Sequence, residues 1–548
     1  MNKLFANKSP VILLPLFTGL LFIHLMVNFC GFYGNDDVKY ASLAAGMFNG
    51  GYAAGTINDH FSFRWVAILA TAVFYKLVGV TAVSSALFSF ACFIVTAVGI
   101  QYFLKKEKAV VQLAVLALFF LNYTVIFYSH RLLPDAGIAL FVFFAWLFYY
   151  RQRFGGYQPL VDAAGFSMSL SLAMLTKETI IITLPLWVYL FITDVYHKRN
   201  ISFWKFAIAF FVAGLFLYML YFRVVYNDWL YRYHLLVQTN LAYSDGTGVL
   251  SPAGVVKRVL YDLWKALLLN GDMQYLIPAI AAFIYRKSLW AETKHHAIAT
   301  AFIILLVLAD VMSFSFTGYA PLPPDPRHFM FLIPFAVICG GYMLVAFFNS
   351  PQRYPLLPMF FLLAAVIIWF LPVGNTRHIY LALAALFTAR LLVKRMWPVL
   401  AFAGWVSIML GNYLYDFVKP QYSFYFDQKK IVQTSFYNTV QPAVVYTGEP
   451  QTADMGNYFL GFNKKNVLFR CLRNGTGTGE TGNATANYLL LNGGYNQGFK
   501  NSFDSLMGSK EFKDGFVIKM QHNGSALYEV KNIALLAGLQ QFATGRYY

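Results

Sequence analysis

The chain has 548 residues, of which 59% are hydrophobic and only 12% charged, and its mean hydropathy is +0.55. A soluble protein of this size carries about twice that charged fraction, so composition points away from a soluble enzyme and toward a polytopic helical membrane protein. The net charge of +18 sits in basic clusters between apolar runs, which fits a positive-inside topology better than nucleic-acid binding.

In chain order, apolar runs predict thirteen spans, at 11–30, 82–103, 109–127, 135–150, 161–176, 179–194, 203–222, 268–285, 297–315, 328–348, 355–372, 377–392 and 397–416. The first run lacks a small-residue cleavage site, so it reads as a retained span and not a signal peptide. An N-terminus inside and a C-terminus outside place seventeen Lys and Arg residues in seven short inner segments, from Lys3 and Lys8 to Arg390, Lys394 and Arg395. That asymmetry sets the orientation, and a bacterial inner membrane suits it. The run "FRWVAILATAVFYKLVGV" at 63–80 is long enough to cross. Counting it as a span would invert every later loop, so it is expected as an interfacial amphipathic helix with Arg64 and Lys76 toward water.

Residues 1–417 form the transmembrane unit in this reading, and 418–548 a small extracytoplasmic α/β domain. The tail is polar and has no span. "PAVVYTG", "NYLLLNG", "FVIKMQ" and "ALYEVK" read as strands, "SFDSLMGSKEF" as a helix, and 474–487 as a flexible loop. The four cysteines (Cys30, Cys92, Cys339 and Cys471) make neither a zinc spacing nor a disulfide framework. The fold class is thus mainly α: a bundle of about thirteen spans, a juxtamembrane helix in the first outer loop, and a small sheet domain.

The predicted outer loops mix acids, cations and aromatics, whereas the inner ones are only basic. "NDDVKY" brings Asp36, Asp37, Lys39 and Tyr40 just beyond the first span, followed by Asp59, His60 and Arg64. "YSHRLLPD" brings His130, Arg131 and Asp135; "TKET" brings Lys177 and Glu178; "PPDPRHF" brings Asp325, Arg327 and His328. The fourth loop adds Arg232, His234, Asp245, Lys257 and Arg258, and the sixth Arg377 and His378. One acid suffices to cap the helix beginning near Val38, so a pair at a lipid boundary points to function. Asp310 is an intramembrane acid suited to function or to a buried polar pair. His295–His296 reads as solvated inner loop.

Carboxylates at a lipid boundary suit base catalysis, and cations around them suit a lipid phosphate. No nucleotide-binding glycine loop is present, and an outward site meets no nucleotide. A polyprenyl-phosphate sugar in the membrane is therefore the fitting donor. Cations such as Lys177 and Arg327 would stabilise the leaving phosphate, while a carboxylate accepts the acceptor's proton and the anomeric carbon inverts. No cofactor is required, although Asp36 and Asp135 could together hold a divalent metal. The acceptor is a protein, a lipid or a glycan. Alternatives are a flippase for lipid-linked sugars and a glycan ligase or polymerase. A transporter favours internal repeats and mid-membrane charge, and the sequence shows no repeat.

"NDDVKYASLAAGMFNGGY", "HRLLPDAGIALFVFF", "LAMLTKETIIITLPLWVYL" and "PRHFMFLIPFAVICGGY", in this order and loop placement, resemble the type-C glycosyltransferases. The resemblance, over roughly residues 10–350, is to the branch of protein O-mannosyltransferases and lipid A aminoarabinose transferases. It implies a metal-independent glycosyltransferase with a polyprenyl-phosphate sugar donor. Asp36 and Asp37 match the family's acid pair, Asp36 as base, and Asp135 matches the acid of the second outer loop. Lys177 matches a lysine thought to meet the lipid phosphate, and Arg327 an arginine at the start of a later span. Two departures stand out. "HFSFRW" replaces a Lys-Pro-Pro element, which leaves Arg64 as its stand-in, and Glu178 stands where glycine is common. Arg131 joins Lys177, Arg327 and Arg64 as a candidate for binding the donor phosphate, and Glu178, His130, Tyr40 and His328 complete the candidate set.

Overall fold

The computed structural model describes residues 13–27, 32, 35–48, 60–156, 158–243, 252–290, 293–313, 319, 321–371, 376–393, 396–418, 425–472, 486–494 and 497–543. The first part is helical: α1 (Leu13–Val27), α2 (Asn35–Phe48), α3 (Trp65–Val78), α4 (Ala82–Phe103), α5 (Ala109–Phe120), α6 (Tyr123–Ser129), α7 (Asp135–Gly155), α8 (Pro159–Thr176), α9 (Leu184–Tyr196) and α10 (Ile201–Tyr226). Then come α11 (Tyr231–Tyr243), α12 (Pro252–Lys257), α13 (Leu263–Leu269), α14 (Met273–Ile284), α15 (Arg286–Leu289), α16 (Thr293–Val311), α17 (Ile333–Asn349), α18 (Leu356–Trp369), α19 (Thr376–Leu392) and α20 (Pro398–Val418). Each of the thirteen predicted spans overlaps at least one of these helices. Among the described residues, six helical stretches are long and apolar enough to cross a membrane, and the bent pair α5–α6 makes a seventh.

Two features depart from the sequence reading in ways that matter for the site. The span expected as one run at 109–127 is broken: α5 and α6 meet at 55°. Asn122 explains the break, because its side-chain Oδ1 accepts the Thr124 N–H at 2.8 Å and so starts a new helix. The second concerns α3. Lys76 is exposed, and so are Leu69, Val73, Leu77 and Val78, as an interfacial helix requires. Arg64 does not face water as expected; it is buried at the start of this helix. A further difference lies at the other end of the bundle. His295 is buried and not solvated, its Nε2 3.2 Å from Glu107 Oε1 and 3.3 Å from Tyr342 Oη.

Close helix packing rests on small residues. α17 lies against α5 and α14, and a Cβ built on Gly341 would come 2.3 Å from Val115 Cγ2 and 3.0 Å from the Val115 backbone nitrogen. Glycine here lets two helix backbones approach, as at membrane helix interfaces generally. The acid of the α16 span also finds a partner: Arg258 Nη1 donates to Asp310 Oδ1 at 3.1 Å, a buried polar pair.

The C-terminal part contains α21 (Tyr425–Phe436), β1 (Ala443–Thr447), α22 (Pro450–Phe459), β2 (Val467–Cys471), β3 (Ala486–Asn492), α23 (Gln497–Leu506), α24 (Lys510–Gly515), β4 (Phe516–His522), β5 (Ser525–Val530) and α25 (Leu535–Gln540). The five strands form one sheet in the order β2-β1-β3-β5-β4. β1 pairs parallel with β2 and β3, and β5 antiparallel with β3 and β4. The four expected strands are present. β2 is an addition, and the single expected helix is two, divided by Ser509, whose side chain caps α24. Residues 474–485 of the expected loop lie outside the described residues.

Candidate active site

The acid pair stands in the first turn of α2, which begins at Asn35 and not at Val38. Negative charge is favourable there against the helix dipole. The helix gives the two acids different fates: Asp36 is 31% exposed at its side chain, whereas Asp37 is fully buried. Arg327 Nη1 donates to Asp36 Oδ2 at 2.9 Å, across 291 residues. Arg327 lies in a 3-10 turn, Pro326–Leu332, that leads into α17. Asp325 caps this turn through the Arg327 backbone N–H, ion-pairs with its Nε at 3.3 Å, and accepts the Tyr128 hydroxyl at 3.0 Å.

The next residue, His328, belongs to a second group. Lys177 Nζ donates to Asp135 Oδ1 at 2.6 Å and lies 3.0 Å from His328 Nδ1. Asp135 opens α7, and Lys177 ends α8 in an extended conformation. All three are buried or nearly so. Burial lowers the Lys177 pKa; Asp135 opposes that shift, and Arg64 and Arg327 add to it.

Glu178 opens a third group. It starts a 3-10 segment, Glu178–Thr183, and takes partners other than those of Lys177. Arg64 Nη2 donates to Glu178 Oε1 at 2.6 Å, and Nε to Oε2 at 3.3 Å. Arg232 Nη2 donates to Oε2 at 2.9 Å, while its Nη1 donates to the Tyr218 hydroxyl at 2.6 Å. Arg64 also donates to the Tyr40 hydroxyl and lies 4.7 Å from the Phe61 ring centroid. Burial works against the Arg64 charge, but Glu178 and Tyr40 outweigh it and hold its pKa above the usual value. Burial raises the Tyr40 pKa, with Arg64 opposing.

Two dipeptides thus stitch three groups into one network: Lys177–Glu178 and Arg327–His328 each send neighbouring side chains to different partners. Asp36, Asp135, Lys177, Glu178, Arg64, Tyr40, Arg327 and His328 all belong to it. Arg131 and His130 lie in a second buried cluster. The Arg131 guanidinium stacks 4.7 Å from the Phe127 ring, and the His130 ring lies 5.2 Å from His24, which also faces Tyr413 at 5.5 Å. Asp59 and Asp245 lie outside the described residues. Sequence reasoning named Arg232 only as a loop cation and missed Tyr218 and His24, because hydropathy treats each as part of an apolar stretch.

Beside Glu178 and Arg232 opens an apolar groove of about 470 Å³ between α8, α9, α10 and α11. Leu170, Trp187, Tyr218 and Trp229 are among its walls, and the Glu178–Arg232 pair forms its polar end. Among the described residues no group of three His, Cys, Asp or Glu side chains is arranged for a metal ion. The two acids that could share one, Asp36 and Asp135, each face a cation.

No family model matches the chain, and no curated protein matches it in sequence. Solved structures do match. ArnT from Cupriavidus metallidurans in the apo state superposes with a TM-score of 0.56 at 14% identity, covering 98% of this chain and 100% of that one. The chain has the ArnT fold. The same ArnT bound to undecaprenyl phosphate superposes with a TM-score of 0.54 at 15% identity, covering 96% and 99% of the two chains. The likeness is one of fold, and it extends over nearly the whole chain.

Proposed function

We propose that the protein is an integral-membrane glycosyltransferase that moves a hexosyl or pentosyl group from a polyprenyl-phosphate donor to a protein, lipid or glycan acceptor on the extracytoplasmic face. The observation that carries this reading is the meeting of Asp36 and Arg327 within a network of lysine and arginine side chains, in a chain with the ArnT fold. Asp36 is the base. It is the accessible acid of the pair, and Arg327 holds one of its oxygens, which orients the carboxylate. The acceptor O–H or N–H attacks the anomeric carbon, its proton passes to Asp36, and the bond from that carbon to the phosphate oxygen breaks with inversion. The polyprenyl phosphate leaves with both bonding electrons. Arg64, Lys177, Arg327 and Arg232 stabilise its charge, and the apolar groove receives prenyl units. Asp135 holds Lys177 in place. The N-terminus lies in the cytoplasm, and the C-terminal domain outside a bacterial inner membrane.

The test is turnover by the purified chain of synthetic polyprenyl-phosphate hexoses and pentoses with candidate acceptors, wild type against Asp36→Asn. Loss of a general base lowers kcat by roughly 100- to 10,000-fold. Full turnover by Asp36→Asn removes the base assignment. Movement of intact lipid-linked sugar across vesicles without cleavage replaces the transferase with a flippase.

A further inference from the structure

The C-terminal domain shares an interface with the acid-bearing helix. α22 packs against α2, the helix that carries Asp36. The centre of the contact is Tyr458, itself 3% exposed. Its hydroxyl lies 3.0 Å from Ser85 Oγ on α4, and Ser85 Oγ lies 2.8 Å from the Tyr75 hydroxyl on α3. Ser85 has one hydroxyl proton and donates it to the Thr81 carbonyl at 2.7 Å. Both tyrosines must then donate to its two lone pairs, which fixes their hydroxyls.

The Tyr458 ring also packs edge-on against Phe32 at 4.8 Å, and Tyr425 of α21 packs against the same ring at 6.2 Å. Phe32 lies between α1 and α2, four residues before Asp36, and is 2% exposed. Tyr458 therefore ties α3, α4 and the residue leading into α2 to one point on the C-terminal domain. Tyr40, Ala41, Ala44 and Ala45 of α2 are buried as well, so this helix is held along its length.

We propose that the C-terminal domain is a clamp that positions the catalytic acid of α2, with Tyr458 as its principal positioning residue. This rests on Asp36 being the base. Tyr458 acts through Phe32, Ser85 and α2, and touches none of the proposed reacting groups. The clamp gives the domain a role in the chemistry. An acid must hold its geometry to within about 0.5 Å to work well, and α22 supplies, beside α3, one of the surfaces against which α2 packs.

The experiment uses the full chain in detergent. Hydrogen–deuterium exchange is followed at the α2 amides, with binding of undecaprenyl phosphate and turnover of whichever synthetic polyprenyl-phosphate sugar the wild type accepts. Tyr458→Ala is expected to speed exchange across 35–48 about 10-fold or more and to lower kcat by a similar factor, with donor KM and undecaprenyl phosphate binding within about two-fold of wild type. Tyr458→Phe keeps the ring on Phe32 but loses the bond to Ser85, and is expected to recover most of the rate. If Tyr458→Ala fails to fold, Tyr458→Phe and Ser85→Ala are read on the same measures, with effects of about two- to five-fold. Unchanged α2 exchange and unchanged kcat in folded variants overturn the clamp, as does a fall in donor binding equal to the fall in rate. Full turnover by Asp36→Asn beside faster α2 exchange in Tyr458→Ala overturns the base assignment while leaving the mechanical coupling in place.

Discussion

Arg64 places Nη2 and Nε on the two oxygens of Glu178, 114 residues further along the chain, at 2.6 and 3.3 Å. Arg232 adds a third bond to the same carboxylate. Two guanidiniums converging on one carboxylate is also the arrangement by which a phosphate is held. Glu178 thus keeps two buried cations paired at the polar end of the groove.

Glu178→Ala should cost about 3–5 kcal/mol of stability, because it strands two buried charges. Undecaprenyl phosphate should then stabilise the variant more than it stabilises wild type, since its phosphate can pair with the freed guanidiniums. The check is the ligand-induced rise in melting temperature of both proteins. An equal or smaller rise in the variant would place the phosphate elsewhere.

Lys177 and Asp135 form a buried pair at 2.6 Å. Lys177→Met alone should destabilise by about 3–5 kcal/mol by leaving Asp135 without its ammonium. Lys177→Met with Asp135→Asn should recover most of that loss, because no charge is stranded, yet should not recover turnover. Additive destabilisation in this double-mutant cycle would argue against direct coupling.

Burial raises the Asp454 carboxyl to about 6, with Lys39 opposing the shift. A folded-state pKa above the unfolded value means the native protein holds the proton more tightly, so stability falls as pH rises between about 4 and 6. Asp454→Asn should therefore match wild type near pH 4 and exceed it above pH 7, by on the order of 1–3 kcal/mol. Melting curves across that range test it; a difference independent of pH would count against a half-buried, titrating carboxylate.

Gly341→Ala should destabilise the bundle by about 1–3 kcal/mol, since the new methyl meets the Val115 side chain and backbone at once. Gly19→Ala is the control, because nothing lies within 4 Å of its Cβ position. Equal thermal stability of the two variants would mean that α17 and α5 can separate without cost.

Hydropathy located the helices because lipid imposes one requirement on every span: enough apolar residues to cross, with backbone groups bonded internally. The same rule hid the break at Asn122, which depends on one side chain capping a helix inside an apolar run. Arg64 shows the limit from the other direction. On a helical wheel it reads as an anchor toward water, and only the arrival of Glu178 from a hairpin more than a hundred residues away makes its burial tolerable. His295 repeats the lesson, with Glu107 supplied by another loop.

By itself, the order of apolar runs, basic segments and acid-bearing loops determined a helical membrane protein with a small sheet domain, since these follow from transfer free energy and alternation along the chain. Which charges pair was left to the tertiary structure. Arg327 with Asp36, Lys177 with Asp135, two arginines with Glu178 and Tyr458 with Ser85 are contacts between distant segments. Coulomb attraction and hydrogen bonding act through space, and sequence separation does not encode them.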